Sequence, residues 1–256
     1  MASFPAVQSV SRALMLLTEI NRMGTATIRA LNLRTNIPKP TIVRLLETLI
    51  EAGYVYKDHR MGGYQVTNKA SELSSGYHSG PLVLQAARHW AIDLTRRLKW
   101  PVSICTLQRD GVVVQYSTIP DSPISPFHST IGVKLSLGAR AMGRAYLCFC
   151  PENERAILYQ AMRESPDSEN HFDQASLEQI VTMAQRNGYA QRDRKVNPVT
   201  SGTIAVPLML GDRVLATFGI TFFRSAVKAA HVEDSLVIPL KQTAAQIEGE
   251  IQTLTH

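Results

Sequence analysis

Four residues of this chain have types and spacing that could do chemistry on a polyanion: Lys39, Thr41, Arg44 and, some way downstream, Arg60. The first three lie in "NIPKPTIVRLLETLIEAGYV", residues 36–55, where two prolines precede a helical pattern. Free N–H groups at a helix start and the positive end of its dipole favour phosphate oxygens. Donor side chains in that first turn and a half can also reach base edges when such a helix enters a major groove. Lys39, Pro40, Thr41 and Arg44 are therefore the candidate DNA contacts, with Arg60 placed to touch a flanking phosphate or the minor groove. The plainer reading is a small helical domain with solvated charges.

Catalytic patterns do not emerge. The chain has no G-x-S-x-G elbow, no G-x-x-x-x-G-K-[ST] and no G-x-G-x-x-G. Its seven histidines are scattered without an H-x-x-x-H pair, and nothing beside Ser201-Gly202 supplies a base. Cys148-x-Cys150 has the wrong spacing for a usual zinc site and sits in an apolar run, which favours buried thiols. Neither enzyme activity nor a metal or cofactor is expected.

The elements that must position the donors can be read from periodicity. Val10, Ala13, Leu14, Leu17 and Ile20 follow helical spacing and predict a helix over 9–22, ended by Gly24. A second short helix fits 27–34, with Ile28, Leu31 and Leu33 turned inward. In the third, Pro40 suits the first helical position and Pro38 keeps Ile37 extended. Ile42, Leu45, Leu46, Leu49 and Ile50 form its apolar stripe, and Gly53 stops it. "YVYKDHRMGGYQVT" then alternates on either side of Gly62-Gly63, the pattern of a hairpin. Three helices followed by a hairpin make the winged form of helix-turn-helix.

Composition sets bounds on the rest. The chain has 256 residues, 45% hydrophobic and 19% charged, enough for one large domain or two smaller ones with real cores. Its net charge of +6 permits a polyanionic partner. Residues 1–80 hold nine Lys/Arg against five Asp/Glu, while the longer remainder holds eighteen against sixteen, so excess positive charge is denser in the first third. No apolar run is long enough to cross a bilayer, and the first twenty residues lack the basic start and apolar stretch of a secretory signal. Together with three cysteines in apolar surroundings, this predicts a cytoplasmic protein with no membrane partner.

Residues 71–80, "SELSSGYHSG", read as a joint, and a strongly periodic helix follows over 81–99. From 101 the pattern becomes mixed. "VSICTL" and "VVVQYS" flank Arg109-Asp110-Gly111, and "GTIAVPLML" and "RVLATFGITFF" flank Gly211-Asp212, giving two hairpins. Three helices fall between them, and a last one occupies 231–254. Hairpins with inserted helices argue an α+β, sensor-like domain. The expected division is a winged helix-turn-helix over 1–75, a linker helix over 76–100 and an effector-binding domain over 101–256.

Several stretches carry a resemblance. "SVSRALMLLTEINRMG", "IPKPTIVRLLETLIEAGYV" and "GYQVTNKASELSSGY" are similar to the N-terminal domain of the IclR family of bacterial transcriptional regulators. "GVKLSLGARAMGRAYL", "GYA" at 188–190 and "GTIAVPL" at 202–208 resemble that family's effector-binding domain. The spacing "RRLKWPVSICTL … FHSTIGVKLSL … AYLCFCPENERAIL" looks closest to activators of phenylpropionate-type aromatic-acid catabolism. The resemblance implies a GAF-like, antiparallel-sheet effector domain, and a double-stranded DNA operator and a small carboxylate effector as partners. It also implies homodimers paired through the DNA-binding half and joined into tetramers. Pro40 stands where the family usually has Ser or Thr, so a phosphate-contacting hydroxyl is absent there.

Carried over one position at a time, the family's pocket falls on Ala141 and Met142, whose backbone N–H groups would hold a carboxylate. It also falls on Asp193, Thr203, Gly219 and Thr221. Gly219, where a Ser is common, is expected to leave room for a larger, aromatic acid. Phe127 and His128 could stack on or bond a ring, or be ordinary packing and a surface His. The alternative to a ligand-responsive regulator is a ligand-independent repressor whose C-terminal domain only oligomerises.

Overall fold

A computed structural model describes residues 6–58, 60, 62–75, 82–127 and 130–255. The chain divides into two compact units, Met1–Ser79 and Gly80–His256.

In the first unit, α1 (Gln8–Met23), α2 (Ile28–Thr35) and α3 (Lys39–Glu51) precede β1 (Val55–Asp58) and β2 (Gly63–Val66). Leu16, Ile20, Leu31, Ile42 and Leu46 are fully buried where the three helices meet. Removing side chains of this kind from water contributes about 1.5–3 kcal/mol each. The α2–α3 turn is set locally. Asn36 adopts the left-handed conformation at φ 55° and returns its N–H to Asn32 O, while Asn32 Nδ2 donates to Ile37 O at 2.8 Å. Pro38 is extended and caps α3, so Lys39 takes the first helical position and Pro40 the second, one later than the prolines alone suggest. Either position leaves an N–H that no helical carbonyl would accept, so the missing donor costs nothing.

The apolar stripes are rotated from the sequence expectation in three places. Val10 and Leu14 of α1, Leu33 of α2 and Ile50 of α3 face outward, while the expected Ile20 and Leu17 of α1 do reach the core and Leu16 joins them. The short segment expected to be a joint also differs at its start. Residues Lys69–Ser75 form a helix, α4, whose Lys69 N–H is met by Thr67 Oγ1 at 3.2 Å.

The second unit is a six-stranded antiparallel sheet with helices on both faces. Its strands are β3 (Val102–Gln108), β4 (Gly111–Ser117), β5 (Lys134–Ser136), β6 (Ala190–Gln191), β7 (Ser201–Leu210) and β8 (Arg213–Phe223). They lie in the order β5-β4-β3-β8-β7-β6. The two hairpins read from sequence are β3–β4 and β7–β8, and the very short β5 and β6 form the edges.

One face is dry. Val102, Ile104, Ile204, Val206, Phe218 and Ile220 pack beneath α5 (Leu82–Leu98) and α9 (Ile238–Thr255). Val83, Leu84, Ala87, Ala91 and Leu94 of α5 are buried in that cluster, making the helix a wall of the second unit. The opposite face receives α6 (Ala141–Phe149), with α7 (Glu152–Arg163) and α8 (Gln174–Asn187) outside it. Because strand residues alternate between faces, the neighbours of the dry residues, Ser103, Thr203, Gly219 and Thr221, point toward α6.

Candidate functional sites

At the start of α3, Lys39, Pro40 and Arg44 are exposed and Thr41 is half-buried. Arg60 is exposed in the β1–β2 turn, where its N–H donates to Asp58 Oδ1 at 2.8 Å. Neither Lys39, Arg44 nor Arg60 forms an ion pair among the described residues. Their charges are available to a partner, held on a helix and a hairpin that pack on one core.

The second unit contains a cavity of about 380 Å³ between the sheet and α6. Ser103, Thr203, Gly219 and Thr221 form its floor, and Thr203 and Thr221, opposite one another on β7 and β8, bring their hydroxyls within 3.2 Å. Arg140, Ala141 and Met142 form one wall, and Phe127, Thr130 and Val133 another. Six of the residues expected at an effector site are thus brought together: Phe127, Ala141, Met142, Thr203, Gly219 and Thr221. His128 lies outside the described residues.

The turn before α6 is tightly organised. Buried Asn170 Oδ1 accepts the N–H groups of Leu137 at 2.8 Å and Gly138 at 3.3 Å, and Ser136 Oγ accepts that of Ala139 at 3.1 Å. A Cβ on Gly143 would stand 2.0 Å from Ser136 O, so only glycine lets the helix start sit this close to the turn. The first backbone bond of α6 runs from Arg144 N–H to Arg140 O, and the N-cap Arg140 supplies no side-chain cap. Helix geometry therefore leaves the N–H groups of Ala141, Met142 and Gly143 without a partner inside the helix, at its positive end.

Two expectations change. Asp193 is not at the cavity. Its N–H donates to Ala139 O at 2.9 Å, and its carboxylate meets Arg144 Nη2 at 3.2 Å on the other side of the α6 start. The neighbouring residue, Arg192, lines the cavity instead, because successive residues of an extended segment face opposite ways. Gly219 does line the cavity, but it does not leave room. A Cβ there would meet Met142 Sδ at 2.5 Å and Ile204 O at 2.7 Å, so the thioether occupies the space a side chain would take.

Sequence reasoning missed the charged groups. Arg140 pairs with Glu169, Nε to Oε2 at 2.7 Å, and Lys134 pairs with Asp110. Arg192 is 5% exposed and bonded to carbonyls: Nη2 reaches Pro198 O at 2.7 Å and also Ser201 O. Its Nε, like Thr130 Oγ1, has no hydrogen-bond partner among the described residues. Burial, then the nearby charges of Arg140 and Arg224, push the Arg192 guanidinium down to about 10, still protonated at neutral pH. An arginine two residues past "GYA" reads as a surface charge, and nothing in its local sequence announces its burial.

The cysteines are inert by comparison. Cys105, Cys148 and Cys150 are all buried. Burial pushes the Cys150 thiol up to about 11 and that of Cys148 to about 12, far from the thiolate that reacts or binds metal. No helix among the described residues is long and apolar enough to cross a membrane.

A winged helix-turn-helix followed by a curled antiparallel-sheet unit that holds a cavity with polar groups in a largely apolar lining defines a class of DNA-binding regulators built in two parts. The IclR helix-turn-helix domain matches residues 9–59, and the bacterial transcriptional regulator IclR C-terminal domain matches 77–249. The chain belongs to the IclR family of bacterial transcriptional regulators, which are not enzymes.

Its relatives include the HTH-type transcriptional regulator XynR of Escherichia coli (strain K12), 27% identical over 234 residues, 89% of this chain and 91% of that protein. The Pca regulon regulatory protein of Pseudomonas putida is 23% identical over 209 residues, 81% of this chain and 71% of that one. Among solved structures, the Thermotoga maritima IclR superposes with a TM-score of 0.67 at 18% identity, covering 96% of this chain and 99% of the other. An IclR homolog from Microbacterium hydrocarbonoxydans complexed with 4-hydroxybenzoate gives 0.62 at 16% identity, over 96% and 99% of the two chains. These structures share the fold.

Proposed function

We propose that this chain is a ligand-responsive regulator of a catabolic operon, sensing a small organic acid, with an aromatic acid the most economical occupant of its cavity. The carrying observation is the cavity itself: about 380 Å³, walled by the uncapped start of α6 and by a buried arginine that forms no ion pair among the described residues. Residues 1–75 bind the operator through Lys39, Pro40, Thr41, Arg44 and Arg60, the 76–100 segment connects, and 101–256 forms a GAF-like effector domain. The backbone N–H groups of Ala141 and Met142 take the carboxylate, and Thr203 and Thr221 hydrogen-bond the remainder. Phe127 supplies a ring face.

The aromatic assignment is supported by the 4-hydroxybenzoate complex of a fold neighbour. It does not rest on Gly219, whose space is filled. Exposed Val7, Val10 and Leu14 along α1 support pairing through the DNA-binding half into dimers, with dimers of dimers formed through the effector half.

Control works by linkage: an acid that binds one arrangement of the two units better shifts the population that fits the operator half-sites. The test is operator affinity, measured by fluorescence anisotropy on DNA from beside the gene, with and without aromatic and aliphatic acids. A change with one acid is expected. Affinity indifferent to every acid, with no thermal stabilisation, favours the ligand-independent repressor.

A further inference from the structure

Of the three cations that line the cavity, Lys134 is paired with Asp110 and Arg140 with Glu169, while Arg192 forms no ion pair among the described residues. Arg192 is buried, and the charges acting on it are those of Arg140 and Arg224 on one side and of Glu169 on the other. Glu169 is already committed to Arg140 through two bonds, at 2.5 and 2.7 Å. Asp167, the other acid lining the cavity, is exposed and accepts the Glu169 N–H at 3.0 Å. The carbonyls of Pro198 and Ser201 hold Arg192 in place without neutralising it. A buried cation in this position is costly unless an anion joins it.

The start of α6 is a separate attraction for negative charge, made of backbone N–H groups and the helix dipole. Arg192 lines the same cavity, and its buried Nε has no hydrogen-bond partner among the described residues. Thr130, another lining residue, has a buried Oγ1 that is likewise without a partner among the described residues and can donate or accept.

We propose that the effector is a dianion, a dicarboxylate in particular, with one acid group on the N–H groups opening α6 and the second on the guanidinium of Arg192. This deepens the organic-acid reading above and rests on it. Arg192 is then the residue that determines specificity: it selects diacids over monoacids of the same skeleton. The floor hydroxyls of Ser103, Thr203 and Thr221 accommodate the linker between the two acids without demanding one chemistry of it.

The experiment is calorimetric titration and thermal shift of the full-length protein with matched sets at neutral pH and constant ionic strength. The sets are benzoate, monomethyl terephthalate and terephthalate, and hexanoate, monomethyl adipate and adipate. The monoesters keep the length of the diacid and remove one charge. A charged hydrogen bond of this kind predicts that at least one diacid binds about tenfold or more tighter than its monoester. Arg192→Gln should erase that advantage, costing the diacid at least tenfold more than its monoester, while Arg192→Lys should keep part of it.

Equal affinities for diacid and monoester in both sets overturn the proposal, as does a diacid preference that survives Arg192→Gln. Equal loss of monoacid and diacid binding in Arg192→Gln also overturns it, and would make Arg192 and α6 one clamp on a single carboxylate. If Arg192→Gln does not fold, the comparison within each set on the unmodified protein and on Arg192→Lys still decides. No binding by any acid removes the organic-acid reading itself, and this inference with it.

Discussion

Arg144 of α6 reaches Asp193 across the loop that follows β6, Nη2 to Oδ2 at 3.2 Å, while its Nε donates to Gly138 O at 2.5 Å. One side chain thus ties the turn before α6, the helix and the loop carrying Arg192. Asp193 is thereby held on the outside, on the opposite side of the extended segment from Arg192.

This relationship predicts an acid-dependent stability. The Lys195 backbone N–H holds the Asp193 carboxyl below the usual range, burial opposes it, and the Arg144 charge adds to the lowering. A carboxylate with a depressed folded pKa contributes stability that is present above its unfolded value, near about 3.9. That contribution is lost as pH falls through the lower folded value. Asp193→Asn should cost about 1 kcal/mol at neutral pH and flatten the fall in stability below about pH 4. Urea denaturation across pH reads both effects, and an unchanged acid limb would remove Asp193 from the account.

At Gly219 the contact with Met142 makes a prediction opposite to simple pocket narrowing. Gly219→Ser must displace the Met142 thioether, and overpacking of this kind costs about 1–3 kcal/mol. Met142→Ala in the same protein should recover part of that loss, which a double-mutant cycle in thermal unfolding measures. Additive effects would mean that the two side chains do not compete for the space.

On the DNA-binding unit, Arg44→Ala should weaken specific operator binding by about 1–3 kcal/mol if Arg44 reads a base. Lys39→Ala, at a phosphate, should weaken all sequences alike and lower the salt slope by about 1. Both side chains are exposed, so unfolding midpoints should not move. Anisotropy titrations over a range of salt separate the two roles.

The helix-turn-helix was legible because its signals are local: Pro38 and Pro40 fix a helix start, Gly53 at φ 79° marks its end, and a spacing of three and four marks the stripe. What periodicity could not say is how a stripe wider than the core divides. Val10 and Leu14 keep helical spacing with Ile20, yet only Ile20 is buried. In the second unit the hairpins were legible from Gly211 and Gly111, but β5 and β6, at three and two residues, are too short to leave a pattern. The cavity floor was found through resemblance, since Thr203 and Thr221 alone read as ordinary strand residues. Arg192 was invisible because its burial is decided by β7, which supplies Thr203 O to its N–H at 3.0 Å, and by Ser201 beside it.

The sheet of the second unit is a partition one backbone thick. Ser103 and Thr221 stand on the wet side, and Val102, Ile104 and Ile220, their immediate neighbours in the chain, stand on the dry side beneath α5 and α9. Whatever seats on the floor therefore presses on a diaphragm whose reverse carries α5, the helix that begins just beyond the boundary at Ser79 and Gly80. A molecule in the cavity and the first helix of its own unit are separated by a single residue of strand.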